Sequence, residues 1–180
     1  VHWVIYTTPF GLYAIIFEIT LKSDGTLLNS LLGFCAVVVG GTLLHGLVVL
    51  PLIGKIFAGM SPIKFFSKAG KPLLVAFATA SSSATLPVSM QTSEEELGVS
   101  TTVSSFVSPR GATMNMDGTA LYEGIAAIFL AYLFGIELNT TAMITVFFMA
   151  MVSSIGAPGM PSGSMAGMQM VLLGAGIPLE

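Results

Sequence analysis

The chain is short of charge. Only 8% of its 180 residues are Asp, Glu, Lys or Arg, against about 25% in soluble domains, so it cannot clothe a water-facing surface. That excludes an ordinary soluble domain and points to a bilayer. Cysteine is nearly absent as well. Cys35 is the single one, no disulfide forms within the chain, and the fold must rest on packing and lipid. The two histidines, His2 and His45, lie far apart in sequence, and no Cys/His spacing points to zinc. A formal net charge of −3 argues against nucleic acid as a partner. No nucleophile–base set is present, so enzymatic activity and a cofactor are not expected. Nor is there the pattern of a cleavable signal peptide. The chain begins Val1-His2-Trp3 and stops at Glu180 just after an apolar run, which reads as a segment of a longer membrane protein.

What is plentiful is apolar sequence, 54% of the chain. A spanning helix needs about 20 apolar residues to cross about 30 Å of hydrocarbon. Residues 1–21 meet that requirement, with Trp3 and Tyr6 as interfacial anchors and a bend expected at Pro9-Phe10-Gly11. Lys22-Ser23-Asp24-Gly25 reads as a turn, and residues 27–57 as a second, longer helix. Gly33, Gly40, Gly41 and Gly46 in it mark close helix packing. Lys55, Lys64, Lys68 and Lys71 are four of the six basic residues, which places that stretch in the cytoplasm.

Beyond them the pattern changes. Leu73-Leu74-Val75-Ala76-Phe77 enters the membrane, yet Ser81-Ser82-Ser83-Ala84-Thr85-Leu86-Pro87 follows at once, and the charged Glu94-Glu95-Glu96, read as a solvated turn, arrives too soon for two spans. A first re-entrant hairpin over 62–105 with a polar tip fits. Residues 106–135 cross again, interrupted near Asp117, and 140–179 carry a second apolar pair around Ser153 to Ser164, rich in Gly, Pro and Ser. Non-helical backbone at membrane depth is tolerated only against protein or a water-filled cavity. Two broken segments of opposite orientation point to an inverted-repeat transporter with its site between the tips. The competing reading of the tips is a pair of extramembrane loops.

Asn115-Met116-Asp117-Gly118-Thr119 lies between apolar flanks. An ionised Asp in hydrocarbon costs about 3 kcal/mol on insertion scales, so it needs a cation, a partner or water. Asn, Asp and Thr supply oxygens, and Gly lets the backbone leave helical geometry to expose carbonyls. Oxygen ligands suit a hard ion, sodium before a transition metal. The alternative is a hydrogen-bonded structural Asp. Glu123 falls about one turn beyond Thr119 and is a candidate proton carrier, or else a glutamate reaching a polar cavity. Arg110 either meets an anionic substrate or snorkels to the cytoplasmic face. His45 reads as a packed helix residue, and the eleven Met residues as adaptable packing, Met116 excepted.

Three stretches in order, Ser81 to Pro87, Gly111-Ala112-Thr113-Met114-Asn115-Met116-Asp117-Gly118-Thr119-Ala120-Leu121-Tyr122, and Ser154-Ile155-Gly156, resemble the signatures of the glutamate transporter family, the dicarboxylate/amino acid:cation symporters. The resemblance covers essentially the whole chain. The inverted-repeat rule was itself drawn partly from this family, so that architecture is no independent derivation. The resemblance implies an all-α membrane protein: residues 1–21 in a scaffold, and 26–180 in a partial transport domain that moves as an elevator. It implies sodium sites on Gly111, Asn115 and Asp117, and on Thr113, Ser154, Ile155 and Ala157 with Met116. Substrate contacts would come from Ser81, Ser82 and Ser83, from Thr119, and from Gly159, Met160, Pro161 and Ser164, with the second hairpin as gate. Sodium would be co-transported, and the full-length protein a homotrimer, multi-pass in the cell membrane.

Departures from the family pattern bear on the substrate. Ala80 replaces an arginine of many prokaryotic members, as in animal members, and Glu123 resembles the animal carriers. The second tip is richer in Pro than most. The resemblance implies that the family's final helix, which completes a sodium site and chooses the substrate, is to be expected beyond Glu180. The expectation is therefore sodium-coupled symport of an acidic amino acid or C4-dicarboxylate, with proton-coupled dicarboxylate transport, a small neutral amino acid carrier, and a channel with re-entrant filter loops as alternatives.

Overall fold

The computed structural model describes residues 2–22 and 25–177. Among them the regular elements are α1 (His2–Lys22), α2 (Gly25–Leu44), a π-helical turn (His45–Val49), α3 (Leu50–Ala58), α4 (Pro62–Thr79), α5 (Ser82–Glu95), α6 (Thr101–Met114), α7 (Asp117–Leu133), α8 (Thr140–Ile155) and α9 (Ser164–Ala175), with no strand. The chain divides into two units, Val1–Val37 and Val38–Glu180. In the first, α1 stays helical through Pro9, where a bend was expected, and Tyr13 stacks on Phe17. Ser23 and Asp24 of the expected turn, Val1, the Trp3 side chain, and the end of the second hairpin from Pro178 lie outside the described residues.

Leu27–Ala58 is the one helix among the described residues that is long and apolar enough to cross a membrane. Its path is not uniform. The Leu50 N–H reaches back to the carbonyl of His45, one residue further than α-helical geometry requires. Pro51 follows directly at the start of α3 and lacks an N–H of its own. A widened turn beside a missing donor is where a helix shifts its faces. Gly59 then ends α3 in the left-handed region (φ 63°), where a side chain would be strained.

In the second unit α4 packs on α5, and Lys68 of α4 donates to the Glu96 carbonyl just past α5. Glu94 and Glu95 belong to the last turn of α5, a correction to the solvated turn expected there, while Glu96 is exposed in the turn that follows. The Gln91 amide donates to Glu95 at 3.1 Å, the one-turn pairing that helical geometry offers and a run of like charges conceals. Ser100 and Asn139 accept from N–H groups in the first turns of α6 and α8, capping both helices. Gly135 and Gly176 end α7 and α9 with positive φ.

The core sits where α7, α8 and α9 pack together, around Ala126, Ala127, Ala131, Val146, Ala150 and Val171, all buried. Small side chains let the backbones approach closely, the packing expected where no hydrophobic effect drives helices together. The outer surface is the reverse of a soluble domain. Phe57, Ile63 and Phe77 are almost fully exposed, among many other large apolar side chains, which water would not tolerate in a monomer.

Candidate functional site at the helix tips

Three interruptions build the site. The first lies between α4 and α5. Ala80 takes the left-handed region (φ 48°), Ser81 returns to extended backbone, and α5 starts at Ser82. The second lies between α6 and α7, where Asn115 (φ −107°, ψ 60°) and Met116 (φ −97°, ψ 58°) both leave helical geometry. The third joins α8 to α9 through Gly156 to Gly163, with Ser162 at φ 61°. Ala80 and Ser162 are the only non-glycine residues with positive φ among those described. Each costs about 1–2 kcal/mol, and both stand on tips.

The first and third interruptions touch. The Gly159 carbonyl accepts from the Ser81 hydroxyl at 2.7 Å and from the Ser83 N–H at 3.0 Å. Ser81 also caps α5, its oxygen accepting from the Ala84 N–H at 3.2 Å. One hydroxyl thus starts a helix and ties it to a tip far along the chain. Ser81→Ala removes a cap worth about 1 kcal/mol and a hydrogen bond worth about 1 kcal/mol. The full-length variant is expected to melt at a lower temperature than wild type in detergent; an unchanged Tm would mean that the tie contributes nothing.

Between the tips and the broken helix lies a polar cavity of ≈ 150 Å³, lined by Ala80, Ser82, Met116, Thr119, Pro158, Gly159, Met160, Ser162, Gly163 and Ser164. It is smaller than the sites of drug-sized ligands, which start at about 300 Å³. Ser82 opens α5, Thr119 lies in the first turn of α7, and Ser164 opens α9. Three helix N-termini therefore meet at one small polar space. Each brings the positive end of its helix dipole, which suits an anion. The C-terminal ends of α6 and α8 bring carbonyls and partial negative charge, which suits a cation.

Of the expected substrate residues, Ser82, Thr119, Gly159, Met160 and Ser164 line this cavity; Ser81 and Ser83 bind the tips together, and Pro161 is not among the lining residues. Met116, expected on sodium, also lines it, its sulfur 3.9 Å from the Thr119 hydroxyl. The other expected sodium residues fall into two groups. Gly111, Thr113, Asn115 and Asp117 stand at the break, while Ser154, Ile155 and Ala157 stand at the end of α8. The Gly111 carbonyl accepts from the Asn115 N–H at 3.1 Å, and the Ser154 hydroxyl donates to the Met151 carbonyl. Among the described residues no three His, Cys, Asp or Glu side chains cluster as metal ligands, so coordination here would rest mainly on carbonyls.

Two partners escaped the sequence reading. Nε2 of His45 lies 3.2 Å from Oδ2 of Asp117, so His45 is more than a packed helix residue. The signal was available, since a lone imidazole in an apolar helix is costly without a partner. Glu123 is fully buried, and its Oε1 accepts from the Ser153 hydroxyl at 3.2 Å. Nothing in the spacing of the two residues announces that pair. Arg110 lies over the ring of Phe106, 3.6 Å from its centroid, one turn back on its own helix.

A helix broken beside two helix pairs, with three helix N-termini gathered at one polar space, is an arrangement known from secondary transporters. The chain matches the Sodium:dicarboxylate symporter family over residues 1–180 and belongs to that family, whose members are transporters and not enzymes. It is 42% identical over 180 residues to glt-4 of Caenorhabditis elegans, named as a candidate sodium-dependent excitatory amino acid transporter (99% of this chain, 36% of that protein). It is 37% identical over 180 residues to human neutral amino acid transporter A (99% and 34%). To mouse excitatory amino acid transporter 5 it is 41% identical over 174 residues (96% and 31%). The chain thus spans about a third of the length of these curated relatives.

Proposed function

We propose that this chain is part of a sodium-coupled symporter of amino acids, multi-pass in the cell membrane, with an acidic amino acid as first substrate and C4-dicarboxylates or small neutral amino acids behind it. The observation that carries the reading is the meeting of three helix N-termini at the ≈ 150 Å³ cavity. A carboxylate is common to all these substrates, and helix N-termini are where one is held without a dedicated cation. The relatives' names cover excitatory and neutral amino acids alike, in keeping with a cavity that reads the carboxylate while the side chain is chosen elsewhere.

In this reading α4–α5 and α8–α9 are re-entrant hairpins, residues 1–21 belong to a scaffold and 26–180 to a mobile domain that moves as an elevator within a homotrimer. Sodium settles at Asp117 and Asn115 and at the carbonyl end of α8. Substrate fills the cavity, and the second hairpin closes over it. Glu123 is the proton carrier of this scheme: it is a carboxyl with no exposure to water on the helix that also carries Thr119.

The test is uptake of labelled aspartate by the full-length protein in proteoliposomes. Replacing external sodium with choline is expected to abolish it, and unlabelled substrate inside is expected to accelerate it. Uptake indifferent to choline would favour proton coupling, and absence of trans-stimulation would favour a channel.

A further inference from the structure

Glu123 on α7 is enclosed by the second helix pair, and two residues of that pair make the enclosure possible. The Ser153 hydroxyl of α8 donates to Oε1 at 3.2 Å. Over the same carboxyl stands Gly167 of α9. A Cβ there would lie 1.9 Å from Oγ of Ser153 and 2.4 Å from Oε1 of Glu123. Both distances are far inside van der Waals contact, so a side chain at 167 would have to displace the carboxyl and the hydroxyl together. The second carboxyl oxygen, Oε2, is buried without a hydrogen-bond partner. Gly167 is also helical, in the interior of α9, where glycine costs about 1 kcal/mol relative to alanine. Its presence is therefore explained by the carboxyl and not by the backbone.

We propose that Ser153 and Gly167 are paired positioning residues for Glu123. Ser153 supplies the one hydroxyl that orients the carboxyl, and Gly167 supplies the space that hydroxyl and carboxyl share. The two are interdependent: a donor on α8 requires a vacancy on α9. Moving the donor to α9 requires emptying α8. Because α7 carries Thr119 and α8–α9 carry the opposite wall of the cavity, this contact joins the two sides of the substrate space behind the site itself. A buried carboxyl held by one hydroxyl makes α8–α9 and α7 move together while the bond lasts.

The inference rests on the reading of Glu123 as a transport carboxylate, and the test separates the two. In the full-length protein, sodium-driven uptake and Tm are measured for S153A, G167S and the double variants S153A/G167S and S153A/G167A. S153A is expected to reduce uptake about tenfold, the effect of leaving a buried acceptor without its donor. G167S is expected to bring uptake to background, because its Cβ has no room. S153A/G167S removes the closer contact and leaves only the end of the Glu123 side chain to shift from the new Cβ; it is expected to recover at least about tenfold over G167S, with the hydroxyl now presented from α9. S153A/G167A fills the same space without a hydroxyl and is expected to stay about tenfold below S153A/G167S. Equal uptake by the two double variants would reduce the pair to packing and overturn the proposal, as would a G167S that transports like wild type. Should G167S fail to fold, recovery of a cooperative melt in S153A/G167S supports the shared space, and a double variant that also fails to fold overturns it. E123Q with wild-type uptake at every pH would remove the transport role of Glu123 alone; the recovery of Tm from G167S to the double variant would then still read the cradle.

Discussion

Asp117→Asn in the full-length protein is expected to weaken sodium-dependent substrate binding by at least about a hundredfold, and Asp117→Ala to abolish it. The carboxylate opens α7, at the helix end that favours negative charge, beside backbone that has left helical geometry at Asn115 and Met116. Its side-chain contact is with His45 at 3.2 Å. A hydrogen bond to a charged group contributes about 1.5–3 kcal/mol, comparable to the cost of about 3 kcal/mol for placing the carboxylate at membrane depth. His45 can therefore hold the ion-free carboxylate, and a sodium ion at the proposed site would add a full opposite charge. Asn preserves size and one oxygen but not the charge, and about 3 kcal/mol of charge-assisted binding corresponds to a little over a hundredfold. His45→Gln keeps a donor and is expected to change the sodium dependence by about tenfold at most. The measurement is substrate binding against sodium concentration, with sodium replaced by choline at constant ionic strength. If Asp117→Asn kept the wild-type sodium dependence, the carboxylate would be a structural partner of His45 and the ion site would lie elsewhere.

How much of this was legible in the sequence depends on the range of the interaction. The interruption at Asn115–Met116 is local: Asn, Asp and Gly in an apolar stretch compete with helical hydrogen bonds, and the chain shows it directly. The breaks around Ser81 and from Gly156 to Gly163 are legible for the same reason, through hydroxyls, proline and glycine. What was not legible lies across the fold. The bond from Ser81 to Gly159 joins residues 78 apart, and no pattern within either tip encodes the other. The partner of His45 was not legible because a helix that is apolar all round has no polar face to report its orientation, and the π-turn that starts at His45 alters the facing once more. Of the three consecutive glutamates only Glu96 falls in the turn; charge dominates a short window, whereas the Gln91 contact that carries the helix on to Glu95 lies outside it. Nothing in the sequence around Gly167 announces the carboxyl that stands beside it.

The glycines of the second tip carry the other large prediction. Gly163→Ala is expected to cost the full-length protein at least about a hundredfold in substrate affinity, Gly159→Ala about tenfold, and Gly156→Ala little. At Gly163 an added Cβ would lie 2.1 Å from the Pro158 carbonyl oxygen and 3.2 Å from that of Met160. Both neighbours are backbone, so no rotamer relieves the clash. The tip must instead open the turn that the Gly163 N–H closes onto Met160 at 3.1 Å. At Gly159 the nearest atoms are Oγ and N of Ser83, at 2.7 and 3.2 Å. The Ser83 hydroxyl can rotate away, but its backbone cannot, so the two bonds to the Gly159 carbonyl stretch and the tips part. At Gly156 the nearest atom is 3.9 Å away, ordinary contact. Overpacking of a tight site costs about 1–3 kcal/mol, and each 1.4 kcal/mol is tenfold in affinity, which sets the first two magnitudes and their order. Gly159 and Gly163 both line the cavity, so the strain falls on the substrate space itself. Substrate affinity measured at saturating sodium reads that strain, and Tm of the substrate-free protein separates a deformed tip from a failed fold. A Gly163→Ala variant that binds substrate as tightly as Gly156→Ala would show that the tip re-forms freely and that the backbone contact at Pro158 places no constraint on the site.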